Sequence, residues 1–163
     1  MLNLYEIKNI NSIKDTLVKR VESLAIAESV TAGYLQAAIA TAQDASKFFQ
    51  GGLTAYNLGQ KSRHLLIEPI HAEACNCVSD RIAREMALNV CALFQSNWGI
   101  GITGYAAPVP ESGNKLFAYY AIAYKGDIVI EKRLEAFKDE PLIVQLFYVN
   151  ELIKDWIAYL QKL

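Results

Sequence analysis

A carboxylate and two hydroxyls stand at the end of a short apolar run near the start of the chain. Glu28, Ser29 and Thr31 follow the run 24–27, and a helical pattern begins directly after them. A helix N-terminus has backbone N–H groups without intrahelical partners, so polar side chains there can cap the helix, bind an anion or present a nucleophile. The junction alone leaves these three interpretations open.

A second group of reactive side chains lies on the segment 46–61. Ser46, Tyr56 and Lys61 are the residue types that a serine–lysine amide hydrolase needs. A serine hydroxyl requires a neighbouring base, and a lysine whose pKa is lowered by burial can be that base. A tyrosine hydroxyl can relay the proton. Taken alone, the segment is explained better by a solvated Lys61 at a helix start and a core Tyr56.

Other kinds of catalytic or metal site find little support. His64 and His71 have no serine and acid in an order that would complete a triad. The cysteines Cys75, Cys77 and Cys91 lack the paired spacing of a zinc or redox motif. We therefore expect no metal ion and no cofactor.

Composition limits the class of protein and its partners. The 163 residues are 53% hydrophobic and 20% charged, which is typical of one compact domain. A net charge of −1 disfavours nucleic-acid binding. No apolar run is long enough to span a bilayer, and residues 1–8 lack the features of a signal peptide. We expect a cytoplasmic protein.

The elements that must position these groups follow from the pattern of apolar residues. It predicts helices over 11–22, 31–43, 60–66, 79–96 and 141–163, and strands over 24–27, 53–56, 98–104, 116–124 and 128–137. Strands interspersed with helices and closed by a hairpin predict one α/β domain with a mixed sheet. The segment 105–115 is predicted as a loop.

Two strand ends are candidates for the ligand site, because ligands of open α/β sheets bind outside the carboxyl ends of strands. One is Glu28–Thr31, and the other is Thr103–Gly104. Each is also explained by ordinary helix capping and turn formation.

Five fragments in order resemble the C-terminal domain of the CinA family, which includes nicotinamide mononucleotide deamidases. Their sequences here are A-E-S-V-T-A-G at 27–33, S-K-F-F leading to Gly52, Y-N-L-G-Q-K at 56–61, V-S with E-M-A between 78 and 87, and T-G-Y-A-A-P at 103–108. Order and spacing agree with the family pattern over about residues 24–108.

The resemblance implies a three-layer α/β/α sandwich with a mixed sheet, spanning 1–163 as a single domain. Within it, 1–23 supply a flanking helix and 141–163 a C-terminal helix, without the molybdopterin-binding-like domain found upstream in full-length CinA proteins. The implied reaction converts nicotinamide mononucleotide and water to nicotinic acid mononucleotide and ammonia. The resemblance thus implies a small-molecule substrate, a pyridine nucleotide or a related carboxamide, and a homo-oligomer without metal.

The resemblance also assigns site residues. The catalytic positions are Ser29, Ser46, Tyr56 and Lys61, and which serine attacks stays open. The substrate-binding positions are Glu28, Thr31, Gly33, Asn57, Thr103 and Gly104.

Departures from the family pattern concern the surroundings of these groups rather than the groups themselves. Val30 replaces a Cys of the family pattern, and Leu58 replaces an Asn. Ala32, Ala107 and the segment 109–113 stand where the family has Gly. Gly51 and the segment 141–145 stand where Arg is common. Loss of arginines weakens phosphate recognition. The pattern fits a deamidase with an altered substrate.

Two other functions stay open, and the first of them also fits these departures. One is a catalytically inactive CinA-like domain that binds a nucleotide or a protein partner. The other is an oligomeric scaffold, with the aromatic strand 117–120 and the terminal helix as its interface.

Overall fold

The computed structural model describes residues 4–163 and contains a five-stranded mixed sheet. The strands are β1 (Leu24–Glu28), β2 (Phe49–Thr54), β3 (Trp98–Gly104), β4 (Leu116–Tyr124) and β5 (Asp127–Ala136). Their order across the sheet is β2-β1-β3-β4-β5. β1 pairs in parallel with both β2 and β3, whereas β4 and β5 form an antiparallel hairpin beside β3.

Helices cover both faces of this sheet. They are α1 (Ile7–Arg20), α2 (Tyr34–Ala40), α3 (Leu58–Leu65), α4 (Pro69–Ala74), α5 (Asp80–Phe94) and α6 (Pro141–Leu160). Apolar side chains of α1, α2 and α6 pack on one face, and those of α3, α4 and α5 pack on the other. The prediction of a single-domain, three-layer α/β/α sandwich is therefore confirmed.

The sequence of β3 explains why its two faces differ. Trp98, Ile100 and Ile102 point into the core under α6 and are fully buried. Gly99 and Gly101 alternate with them on the α5 side, where an added Cβ would overlap the α5 backbone. The missing side chains let α5 lie directly on the sheet.

The element boundaries differ from the predicted ones where local signals were weak. α1 begins at Ile7 rather than residue 11, because Ile10 continues its buried stripe. α2 spans only Tyr34–Ala40 rather than 31–43. β2 runs over Phe49–Thr54 rather than 53–56, so the Gly51–Gly52 pair lies within a strand.

One helix was not predicted at all. α4 begins with Pro69, and the carboxylate of Glu68 accepts hydrogen bonds from the N–H groups of Ile70 (2.9 Å) and His71 (2.8 Å). The loop 105–115 is confirmed and includes a short 3-10 turn at Pro110–Ser112. Among residues 4–163, no helix has the length and apolarity needed to cross a membrane.

Candidate active site

A cavity of about 490 Å³ opens at the carboxyl end of the parallel strands. Its walls come from the residues after β1, the segment from β2 into α3, the end of α4 with its following turn, the loop after β3 and the first turns of α6. The strand pattern predicted the ligand site at this carboxyl end of the strands.

Lys61 and Ser29 meet at the floor of this cavity. The Lys61 Nζ lies 2.8 Å from the Ser29 Oγ and 2.9 Å from the backbone oxygen of Ala55. The side chain of Lys61 is only 1% exposed, and Ser29 is 7% exposed. The alternative of a solvated Lys61 is therefore wrong.

Two local structures bring this pair together. Ser29 is the first residue after β1. α3 starts after Asn57, whose side-chain oxygen accepts a hydrogen bond from the Gln60 N–H (3.0 Å), so Lys61 falls in the first helical turns. Because β1 and β2 are parallel neighbours, the residues that follow them lie side by side.

Burial sets the protonation of this lysine. Desolvation lowers the pKa of Lys61 below its ordinary value of 10.5, and the neighbouring Cys77 opposes this only in part. Lys61 takes part in no ion pair within residues 4–163. Burial without a counter-charge thus shifts the equilibrium of Lys61 towards its neutral form, which can accept a proton.

Glu28 and Thr31 serve the fold rather than the cavity surface. The fully buried Glu28 carboxylate accepts hydrogen bonds from the Thr31 hydroxyl (2.5 Å) and from the N–H groups of Gly33 (3.1 Å), Leu35 (3.0 Å) and Gln36 (2.8 Å). It thereby caps the start of α2. Glu28, Thr31 and Gly33 were expected to bind substrate, but the structure places them behind Ser29 and outside the cavity lining.

Ser46 does not join the other catalytic candidates. It is exposed in the short 3-10 turn Ala45–Lys47, which precedes β2, whereas Lys61 follows that strand. The six residues of β2 span about 20 Å at the usual rise per residue, so the two positions lie beyond opposite ends of this strand. The expectation that Ser46 lies in the site is corrected: β2 begins at Phe49 rather than residue 53, so no loop remains that could return Ser46 to the carboxyl end of the strand.

The remaining predicted residues line the cavity in different ways. Tyr56 stands at the mouth with 68% of its surface exposed, so it is not a core aromatic, and it forms no hydrogen bond with Lys61 within residues 4–163. Thr103 is buried and donates a hydrogen bond to the Cys77 backbone oxygen (2.7 Å), while Asn57 and Gly104 lie on the wall.

Several lining residues were missed. Asn76 and Cys77 both adopt left-handed backbone conformations in the turn after α4. The Asn76 amide donates to the Tyr105 hydroxyl (3.1 Å), and the Gln145 amide donates to the Val30 backbone oxygen (2.8 Å). Asn tolerates this conformation, which was the available signal, but without α4 the turn could not be placed.

Burial raises the pKa of the Cys77 thiol, although the nearby Lys61 charge opposes the shift. A protonated thiol is a poorer nucleophile than a thiolate, and the side chain that Lys61 contacts by a hydrogen bond is Ser29 rather than Cys77. No group of His, Cys, Asp or Glu side chains that could hold a metal ion occurs in the described residues.

Comparison with known proteins identifies the same architecture. The model of the CinA C-terminal domain family matches residues 7–151. A CinA-like protein from Picosynechococcus sp. is 38% identical over 112 residues, which cover 69% of this chain and 27% of that protein. A CinA-like protein from Prochlorococcus marinus is 36% identical over 121 residues, which cover 74% of this chain and 29% of that protein. The chain thus spans between a quarter and a third of the length of these relatives.

Solved structures agree in fold over nearly the whole chain. The competence damage-inducible protein A (ComA) from Klebsiella pneumoniae superposes with a TM-score of 0.90 at 23% identity, covering 96% of this chain and 98% of that one. A CinA superfamily protein from Escherichia coli superposes with a TM-score of 0.86 at 24% identity, covering 93% of this chain and 88% of that one. At such identities the likeness shows the fold alone.

Proposed function

Because the chain belongs to the CinA C-terminal domain family, we propose that it is an amidohydrolase that acts on the carboxamide of a pyridine nucleotide or a related small amide. Ser29 is the nucleophile and Lys61 the general base. The observation that carries the proposal is the 2.8 Å contact between the Lys61 Nζ and the Ser29 Oγ, made by a lysine that burial keeps from solvent.

The reaction starts with Lys61 in its neutral form. Its Nζ accepts the Ser29 hydroxyl proton while Oγ bonds to the carboxamide carbon and the carbonyl electron pair moves onto oxygen. Val30 lines the cavity, and its backbone N–H has no acceptor within residues 4–163, so we assign this N–H as the donor to the oxyanion.

Collapse of this intermediate breaks the carbon–nitrogen bond. The Lys61 ammonium gives its proton to the departing nitrogen, ammonia leaves, and an ester remains on Ser29. Water then attacks the ester carbon and transfers a proton to Lys61. Cleavage of the carbon–Oγ bond releases the acid, and Ser29 regains its proton from Lys61.

A second candidate function is supported by the position of Tyr56. Its exposure at the cavity mouth leaves Ser29 and Lys61 without the proton relay that the sequence predicted. A domain that binds a nucleotide or a protein partner without turnover would tolerate this arrangement. It predicts ligand-dependent thermal stabilisation without release of ammonia.

The test is ammonia release from a panel of carboxamide nucleosides and nucleotides, starting with nicotinamide mononucleotide. Ser29→Ala and Lys61→Ala should each lower kcat by about a thousandfold or more. Ser46→Ala is the matched control and should retain wild-type kcat/KM. No ammonia from any substrate, or loss of activity in Ser46→Ala but not Ser29→Ala, contradicts the proposal.

A cytoplasmic location and assembly into a homo-oligomer stay predictions from the sequence. Oligomeric state is measurable by light scattering of the purified chain.

A further inference from the structure

The charges that line the cavity are unsuited to a phosphate group. Among the described lining residues, only Lys61 and Glu73 carry charged side chains. Lys61 is buried and committed to Ser29 and Ala55. Glu73, on α4, is exposed and forms no ion pair with a basic side chain within residues 4–163.

The start of α6 does not supply the missing positive charge. Pro141 and Gln145 of this helix line the cavity, but Asp139 and Glu140 immediately precede the helix. Two acidic residues at this point offset the positive end of the helix dipole.

Basic side chains do follow the 105–113 loop and precede α6 in the sequence, but they line a different cavity. Lys115, Arg133 and Lys138 line a separate cavity of about 190 Å³ at the start of β4 and the end of β5. Arg133 there lies over the Phe117 ring, 4.2 Å from its centroid, and pairs with Glu135 at 3.2 Å. The cavity above Ser29 therefore has no basic side chain other than the buried Lys61 to pair with a phosphate.

The other polar groups of the cavity suit a nucleoside. Asn57, Asn76, Tyr105 and Gln145 offer neutral donors and acceptors. A volume of about 490 Å³ lies within the range of small-molecule sites. A carboxylate at the wall attracts a cationic ring and repels a phosphate.

We propose that the substrate is a carboxamide without phosphate, and specifically a cationic pyridinium nucleoside that Glu73 favours by charge. This inference rests on the proposed amidohydrolase function. The reaction is unchanged: the carboxamide carbon–nitrogen bond is cleaved by water, and the products are the pyridinium carboxylate nucleoside and ammonia.

The test compares kcat/KM for nicotinamide riboside and for nicotinamide mononucleotide, which differ only in the phosphate. Wild-type protein should prefer the nucleoside by about tenfold or more, since a carboxylate and a phosphate dianion repel at short range. Glu73→Gln should narrow the ratio, and Glu73→Arg should invert it. Glu131→Gln, an exposed acid on β5 outside this cavity, is the matched control and should leave the ratio unchanged.

The outcomes separate the two proposals. Faster hydrolysis of the nucleotide than of the nucleoside overturns the substrate class but leaves the amidohydrolase intact. Ammonia from neither compound overturns both. Calorimetric titration of the Ser29→Ala variant, which binds without chemistry, should show the same preference, and tighter binding of the nucleotide would overturn the inference independently of turnover.

Discussion

Lys61 illustrates at the residue scale how a site can favour a base at the expense of stability. An ammonium group has three N–H donors, whereas Lys61 has two oxygen partners, Ser29 Oγ and the Ala55 backbone oxygen. A neutral amine fits the same surroundings better, because it can donate to Ala55 and accept from Ser29. The geometry and the lowered pKa of Lys61 therefore point in the same direction.

We predict that Lys61→Met stabilises the protein while abolishing activity. In the unfolded chain Lys61 titrates near 10.5, and in the folded protein its pKa is lower. Below the folded pKa both states are protonated, so the wild type bears the full cost of burying a cation. As pH rises towards 10.5 the unfolded chain binds more protons than the folded one, and wild-type stability increases.

Urea unfolding at several pH values checks this prediction. The variant should be more stable by about 1 kcal/mol at neutral pH. Its advantage should shrink as the pH rises through the folded pKa of Lys61 towards 10.5. A destabilised variant with no such pH dependence would show that the two hydrogen bonds outweigh the cost of burial.

At the scale of elements, two adjacent residues of the β1–α2 junction have different roles, one in the cavity and one in the fold. Ser29 faces the cavity, whereas Glu28 faces away from it and holds the start of α2 through four donors. The alternation of side chains along an extended segment separates the two roles.

Glu28→Gln should therefore lower the free energy of unfolding by about 1–3 kcal/mol. The amide NH₂ cannot accept hydrogen bonds, so some of the N–H donors would be left unpaired. Chemical denaturation measures the loss, with Glu131→Gln as the control. Unchanged stability together with a raised KM would instead mean that Glu28 contacts the substrate.

Sequence patterns predicted elements better than the roles of single residues. Ser29 and Lys61 were identified because their motif positions carry chemistry, and parallel pairing of β1 and β2 brings them together. Ser46 was misplaced since the glycine pair hid the first half of β2, which begins at Phe49 and puts Ser46 at its amino end. Glu28 was misassigned because a capping carboxylate and a ligand-binding one look alike in sequence.

The missed wall of the cavity has a different physical reason. α4 has only six residues, which is too short for a periodic signal, and its existence depends on capping by Glu68 and packing of Ala72. Glu73, Asn76 and Cys77 could not be assigned to the site without that helix.

At the scale of the whole molecule, a buried carboxylate joins elements at the opposite end of the sheet. Glu22 lies after α1 and accepts hydrogen bonds from the Tyr124 hydroxyl (2.6 Å), the Trp98 Nε1 (2.8 Å) and the Arg20 Nε (3.0 Å). Burial alone would raise the pKa of Glu22, but the hydrogen bonds from Tyr124, Trp98 and Arg20 outweigh it and lower the pKa below its ordinary value of 4.5.

The stability that Glu22 contributes should be present above pH 4.5 and lost as the pH falls through the lower folded pKa. Glu22→Gln should cost about 1–3 kcal/mol at neutral pH, and its difference from the wild type should shrink in acid. Thermal unfolding between pH 3 and 7 follows this difference, and a constant difference across that range would argue against the network.

The central claim is that Lys61 activates Ser29, and the most direct measurement is to locate the acyl group during turnover. Acid quenching of the wild-type reaction, followed by peptide mass spectrometry, should find the pyridinium acyl group on Ser29 and find none in Lys61→Ala. An acyl group on Ser46 or on Cys77 would contradict this role of Ser29. So would turnover by both the wild type and Lys61→Ala with no covalent adduct in either protein.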